Sequence, residues 1–379
     1  MSLFGQSSES YVGVDIGTSS IKVVELKKRQ NKVALVTYGF SDRLISDYGD
    51  ANKLDIKYVT STLENILRKA NISSKNIIAS LPTFTVFSSI INLGGNLNDK
   101  DLSMSINWEA KKVIPLPLED IVLDWQRIDD SNLVKEVPKT EARSEDNDSK
   151  LAPNIQAAIA KAPKKPQVNR ILLIGAPKNL IKSYAYSFKS MKLNLVSLET
   201  EIFGLIRSLV GSDKSPLMIV QIGANSTNLF IVDKGVPMLN RTIDVGGLDI
   251  TKSISKSLNI SLEKAEQFKY DLSSNAGGGQ LPKPVTDAIA PILNEAKYVI
   301  SAFSSKENRE IEKVILTGGS ASLFGLPDHF ANILEKNVVV GDPWFRVAYP
   351  VELKPILEQI GPRMSVAIGL AMREFDKNK

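Results

Sequence analysis

Two stretches of this chain repeat one another: Val14-Asp15-Ile16-Gly17-Thr18-Ser19-Ser20-Ile21-Lys22 and Val220-Gln221-Ile222-Gly223-Ala224-Asn225-Ser226-Thr227-Asn228. In each, an apolar strand runs into a glycine and small polar residues and then into a second strand. A tight hairpin of this composition turns backbone N–H groups and hydroxyls into one concavity, which suits phosphate oxygens. A single loop of this kind is common in hairpins that bind nothing. Two at equivalent places in a duplicated chain predict a pair of related lobes gripping one nucleotide.

The neighbouring residues extend the repeat. Alternation and β-branched residues predict strands over 11–16, 21–26 and 33–40, with the polar stretch 27–32 as a hairpin turn. Ile56, Val59, Leu63, Ile66, Leu67 and Ala70 recur at three- and four-residue steps, the stripe of an amphipathic helix, and 76–81 reads as a buried strand. The same order returns with strands over 217–222, 229–232 and 236–243. Asp233-Lys234-Gly235 is the turn, and Gly246-Gly247 leads into a helix over 249–258. Helices over 261–272 and 285–305 follow, separated by a glycine-rich loop at 273–280. Strand 313–316 then enters Thr317-Gly318-Gly319-Ser320-Ala321 and another helix. At this third loop, absent side chains let a base or ribose approach the backbone.

One region breaks the repeat. A strand at 83–93, a helix at 99–113, strands at 121–128 and 170–175, and a helix at 178–191 predict a small αβ unit inserted into the first lobe. Inserted units commonly carry partner specificity. Inside it, 129–169 is rich in Lys, Glu, Asp, Ser, Asn and Pro and reads as a disordered loop, with a short helical stretch at 155–162.

Composition narrows the chemistry. At 379 residues with 43% hydrophobic and 23% charged, the chain is globular and long enough for two domains. The lack of Cys excludes a disulfide scaffold, a thiolate metal site and a Cys nucleophile, and the single His, expected on a helix surface at 329, leaves no imidazole cluster. The 47 Lys and Arg, interspersed with 42 Asp and Glu, read as solvated surface with a mild preference for an acidic partner or lipid. No basic stripe with aromatics points to nucleic acid. No run approaches the roughly 20 apolar residues that span a bilayer, and 1–10 lacks a secretion signal, so a soluble cytosolic protein is expected.

In full, the chain resembles the actin-like ATPase superfamily and, within it, the PilM family of type IV pilus assembly proteins, relatives of the division protein FtsA. The resemblance rests on 12–26, on Trp108-Glu109-Ala110 with Ile114-Pro115-Leu116-Pro117-Leu118-Glu119-Asp120 and Leu123-Asp124, and on Ala367-Ile368-Gly369-Leu370-Ala371. It implies an α/β, ribonuclease H-like fold of two lobes, each a mixed sheet with helices, and an SHS2-like inserted subdomain. The implied division is 10–82 with 195–215 (1A), 83–194 (1C), 216–247 with 313–375 (2A), and 248–312 (2B).

The same resemblance implies roles. Gly17, Thr18, Ser19 and Ser20 would form the first phosphate loop, Lys22 would reach the phosphates of ATP, and Asp15 would hold Mg2+ through water. Gly223, Ala224, Asn225, Ser226 and Thr227 would form the second loop, Gly246 and Gly247 would lie nearby, and Gly318, Gly319 and Ser320 would line the adenosine pocket. Glu266 and Lys269, one helical turn apart, would bind the ribose, unless they are an exposed intrahelical ion pair. Glu201, with Glu199 as the other candidate, would orient the attacking water. Relatives carry Asp where this chain has Gln221, so slow or absent hydrolysis is expected. The implied partner is the N-terminal cytoplasmic tail of a PilN-like membrane protein, which would recruit the chain to the inner face of the cytoplasmic membrane. Trp108, Ile114, Leu116 and Leu118 would support that groove or pack in a core. Pilus motor ATPases and a second copy of the chain are further candidate partners. A filament-forming FtsA-like division protein and a small-molecule kinase on the same scaffold are the rival readings. The chain stops at Lys379, just past its last helix, which counts against a membrane-binding FtsA-like tail.

Overall fold

A computed structural model describes residues 9–30, 32–43, 56–95, 99–128, 168–274 and 281–376. The chain forms two compact units, Ser88–Gly175 and the remainder. Of the expected loop at 129–169, residues 129–167 with the helix at 155–162 lie outside the described residues and 168–169 open a strand; of the loop at 273–280, residues 275–280 lie outside and 273–274 end a helix.

The larger unit contains two five-stranded sheets of identical topology. In the first, β1 (Ser10–Ile16) pairs antiparallel with β2 (Ser20–Arg29), which pairs with β3 (Lys32–Asp42). After α1 (Ile56–Lys69), β4 (Asn76–Leu81) joins β1 in parallel. The smaller unit interrupts here with β5 (Phe87–Gly94), α2 (Asp99–Val113), β6 (Ile121–Ile128) and β7 (Val168–Pro177), its sheet ordered β5-β7-β6. The chain returns through α3 (Lys178–Ser190) to β8 (Asn194–Thr200), parallel to β4, and then α4 (Glu201–Leu205), which continues as a π-helical turn, Ile206–Val210.

The second sheet repeats the order. β9 (Leu217–Ile222), β10 (Thr227–Asp233) and β11 (Val236–Ile243) form the antiparallel half. Helices α5 (Gly247–Leu258), α6 (Leu262–Ser274) and α7 (Lys283–Glu307) precede β12 (Lys313–Thr317), which is parallel to β9. After α8 (Leu326–Leu334), β13 (Asn337–Val340) pairs in parallel with β12. The orders β3-β2-β1-β4-β8 and β11-β10-β9-β12-β13 therefore correspond strand for strand. The chain closes with α9 (Lys354–Ala371) and α10 (Arg373–Asp376).

Several expectations are corrected. Residues 83–85 form a 3-10 turn rather than strand, because Pro82 ends the ladder of β4. The inserted unit is narrower than 83–194: the helix at 178–190 buries Tyr184 and Phe188 among Val12, Ile77 and Leu63 of the first lobe. Strands β8 and β13 were not anticipated.

Between the sheets, α4 and α9 share a core with Ile78, Ile219, Phe230 and Ile315. Their crossing is a glycine contact, since a Cβ on Gly369 would lie 1.8 Å from the Gly204 carbonyl oxygen. Any side chain there would separate the helices and the lobes they join. Among the described residues no helix is long and apolar enough to cross a membrane.

Candidate functional site

Both glycine hairpins close in the same way. Gly17 N–H donates to the Ser20 carbonyl at 3.0 Å, and Gly223 N–H donates to the Ser226 carbonyl at 2.9 Å. Each hairpin sits at the C-terminal end of its first strand. The two meet where Asn225 Nδ2 donates to Thr18 Oγ1 at 3.2 Å, across 207 residues of sequence.

A third set of backbone groups joins the second hairpin. Gly247 N–H donates to the Gly223 carbonyl and Leu248 N–H to the Ala224 carbonyl, both at 2.8 Å, which seats the start of α5 on the loop. Gly247 is thus the first helical residue rather than a lead-in. A Cβ on Gly246 would lie 2.5 Å from the Ala224 oxygen. At the third loop Gly318 has φ +94°, and a Cβ there would lie 2.3 Å from the Ile222 oxygen, so position and conformation both require glycine. Gly319 faces open space, and the Ser320 side chain is buried against Gly247.

Lys269 Nζ contacts Glu266 Oε2 at 2.6 Å, so the intrahelical pair exists, yet the ammonium also donates to the Gly247 carbonyl at 3.0 Å and Thr251 Oγ1 at 2.8 Å. Its burial, opposed by Glu266, lowers the Lys269 pKa. The Lys269 end of the pair is thus held against the start of α5, while the Glu266 side chain stays 42% exposed.

Under the hairpins the lobes carry different chemistry. In the first, Asp15 and Lys22 face each other across β1 and β2, with Nζ 3.0 Å from Oδ2, and Ser80 Oγ donates to Oδ1 at 3.1 Å. Asp15 is 4% exposed. In the second, the corresponding register pairs Gln221 with Asn228, whose Nδ2 donates to Gln221 Oε1 at 3.3 Å. Thr242 Oγ1 holds Asn228 Oδ1 at 2.7 Å. A buried ion pair in one lobe is replaced by a neutral amide pair in the other.

Glu201 lies between the two. Thr83 Oγ1 donates to its Oε2 at 3.1 Å and Asn228 Nδ2 reaches the same oxygen at 3.5 Å. Burial, then the Asp15 charge, push its pKa up to about 7, against the opposing effects of Thr83, Gln221 and Lys22. Glu199 is elsewhere: Arg207 and Arg373 clasp it beside the α4–α9 crossing. The cleft carboxylate is therefore Glu201. The buried Tyr184 hydroxyl, whose pKa burial raises with help from Glu201 and Asp15, has no hydrogen-bond partner among the described residues. Asn228, Thr83, Ser80 and Tyr184 were missed in the sequence; only the register of Asn228 opposite Gln221 offered a signal.

In the smaller unit, a groove of about 410 Å³ runs between β5 and α2, lined by Asn92, Leu93, Met104, Ser105, Trp108 and Glu109. Ile114 is core, but Trp108 is 65% exposed and Leu116 50% exposed, which corrects the reading of these two as packing residues.

A family model described as Type IV pilus assembly protein PilM matches residues 13–149 and 156–375. The chain belongs to the PilM family. It is 23% identical over 372 residues to cell division protein FtsA of Bacillus subtilis (strain 168), covering 89% of this chain and 79% of that protein. FtsA of Staphylococcus epidermidis (strain ATCC 35984 / DSM 28319 / BCRC 17069 / CCUG 31568 / BM 3577 / RP62A) is 20% identical over 374 residues, covering 88% and 74%. Among solved structures, a PilM-PilN type IV pilus biogenesis complex superposes with TM-score 0.74 at 22% identity, covering 96% of this chain and 98% of that one. Ethanolamine utilization protein EutJ from Carboxydothermus hydrogenoformans gives TM-score 0.51 at 15% identity, covering 97% and 90%. The fold is that of the actin-like ATPases.

Proposed function

We propose that this PilM-family chain is an ATP- and Mg2+-binding scaffold of a type IV pilus assembly platform, cytoplasmic, and recruited to the inner face of the membrane by a partner. The observation that carries the reading is the meeting of the hairpins at Thr18 and Asn225, with the starts of α5 and the Gly318 loop gathered at the same place. Backbone N–H groups and hydroxyls from both lobes converge there, and a triphosphate held between them favours one relative arrangement of the lobes over others. Asp15 is the carboxylate for Mg2+ and Lys22 the cation for phosphate; each now neutralises the other, and the incoming ligand would exchange with that pair. Gln221 and Asn228 supply hydrogen bonds without charge, which supports binding with weak or absent hydrolysis.

Titration of a fluorescent ATP analogue into the purified chain, with and without Mg2+, tests this. Saturable binding that Gly318→Val removes is expected, with phosphate release near background. No binding at millimolar analogue contradicts the nucleotide reading, and brisk turnover contradicts the scaffold reading.

A second part of the proposal concerns the partner. A solved relative of like fold is a PilM-PilN complex, and the groove between β5 and α2 has two exposed apolar side chains, Met104 and Trp108, beside a sheet edge strand. The cytoplasmic tail of a PilN-like protein is the proposed occupant. Trp108→Ala is expected to weaken binding of a tail peptide at least tenfold in a pull-down or anisotropy titration; unchanged affinity contradicts this placement.

A further inference from the structure

The end of the first sheet opposite the nucleotide cleft carries a concentrated positive charge. The strand register puts Ser10, Lys27 and Ala34 on one line with the starts of β4 and β8. The hairpin between β2 and β3, the turn before β4 and the turn before β8 therefore lie at the same end. They expose Lys28, Arg29, Lys32, Lys75 and Lys192. Helix α1 ends here too, tied to β3 where Thr37 Oγ1 donates to the Ala70 carbonyl at 2.8 Å, and adds Lys69.

None of these six cations makes an ion pair among the described residues. Of the acids nearby, Glu25 is buried and takes hydrogen bonds from Ser10 and Ser73, Glu9 accepts from the Tyr11 hydroxyl, and Glu374, whose charge reaches Tyr11, is paired with Arg373. The chain that leads into this end through α3 has no Asp or Glu between Ser149 and Leu198. The near balance of charges in the whole sequence thus conceals a local excess.

We infer that this basic end is a docking surface for an anionic lipid bilayer. Five strands at the usual spacing set the cations across roughly 20 Å, and seven residues of β1 hold them roughly 20 Å from the phosphate hairpins. Among the described residues none of the large exposed apolar side chains lies on these turns, so the match is to a plane of negative headgroups rather than to a peptide that needs an apolar anchor. Clustered Lys and Arg within a Debye length of such a surface act together, and salt weakens them together. Contact here would leave the cleft accessible and orient the chain at the membrane independently of its protein partner. The inference does not depend on the nucleotide reading.

Flotation of the full chain with phosphatidylcholine vesicles, with and without phosphatidylglycerol at three in ten lipids, tests it. Binding to the anionic vesicles only, lost at high salt, is expected. Lys28→Glu/Arg29→Glu/Lys32→Glu combined with Lys75→Glu/Lys192→Glu should reduce the bound fraction at least tenfold with an unchanged melting temperature, while Lys252→Glu/Lys256→Glu on the second lobe binds like wild type. Equal binding to neutral vesicles, no binding to either kind, or undiminished binding by the charge-reversed variant overturns the inference. Complete displacement by 10 mM inorganic phosphate at constant ionic strength would instead indicate a single phosphate-ion site and overturn it as well.

Discussion

The two glycine hairpins share a backbone and differ in charge. Gly17 and Gly223 make the same hydrogen bond to the residue three positions on, and the strands beneath have the same order. Yet the pair below the first hairpin is Asp15–Lys22 and the pair below the second is Gln221–Asn228. The fold therefore constrains the shape of each glycine hairpin, while the cross-strand pair beneath it decides its electrostatics. Position 221 in the second half carries an amide rather than a carboxylate, so the only charged groups beneath the hairpins are Asp15, Lys22 and Glu201 among the described residues.

The largest expected effect comes from breaking the charged half. Lys22→Met leaves Asp15 buried without its cation and should destabilise the protein by about 3 kcal/mol in urea unfolding at neutral pH. If the loss is no larger than that of an amide deletion in the other lobe, the halves do not differ as described.

Glu201 supplies a pH test of intermediate size. Its folded-state pKa is about 7, above the ordinary carboxylate value, so the folded state keeps a proton that the unfolded chain has released. Stability from this group is full below the unfolded value and is lost as pH rises through about 7. Glu201→Gln should flatten that decline, with a gain on the order of 2 kcal/mol at pH 8 relative to pH 5. Parallel wild-type and variant curves would place the titration elsewhere.

Making the halves alike is the third test. Gln221→Asp adds a carboxylate near Glu201, and the repulsion should cost roughly 1–2 kcal/mol at pH 8 and less at pH 5.5, where protonation relieves it. With Mg2+ and ATP present the penalty should shrink and phosphate release should rise. The smallest change is Asn228→Ala, about 1 kcal/mol, since it removes amide hydrogen bonds with Gln221, Thr242 and Glu201 while Glu201 keeps its bond from Thr83.

Much of this was readable in the residues. The duplicated hairpins were legible because alternating β-branched strands and glycine turns are local signals, and both bracket the loops. The roles of Asp15, Gln221 and the glycines came only through the family resemblance, and the strand register shows Asp15 opposite Lys22 and Gln221 opposite Asn228 beneath the hairpins. The choice between Glu199 and Glu201 was not legible, because it depends on which carboxylate is taken up by Arg207, on the following helical turn, together with Arg373, 174 residues away in sequence. Strand β13 is only Asn337–Val340, too short to display a period. Trp108 carries a core residue's character in sequence, and its exposure is set by tertiary packing alone.

A crystal structure grown with Mg2+ and a non-hydrolysable ATP analogue tests the central claim most directly. The account predicts the triphosphate between Gly17–Ser20 and Gly223–Thr227, with the base against Gly318 and Gly319 and the metal on the Asp15 side. An empty cleft at saturating analogue, or a nucleotide bound away from both hairpins, would contradict it.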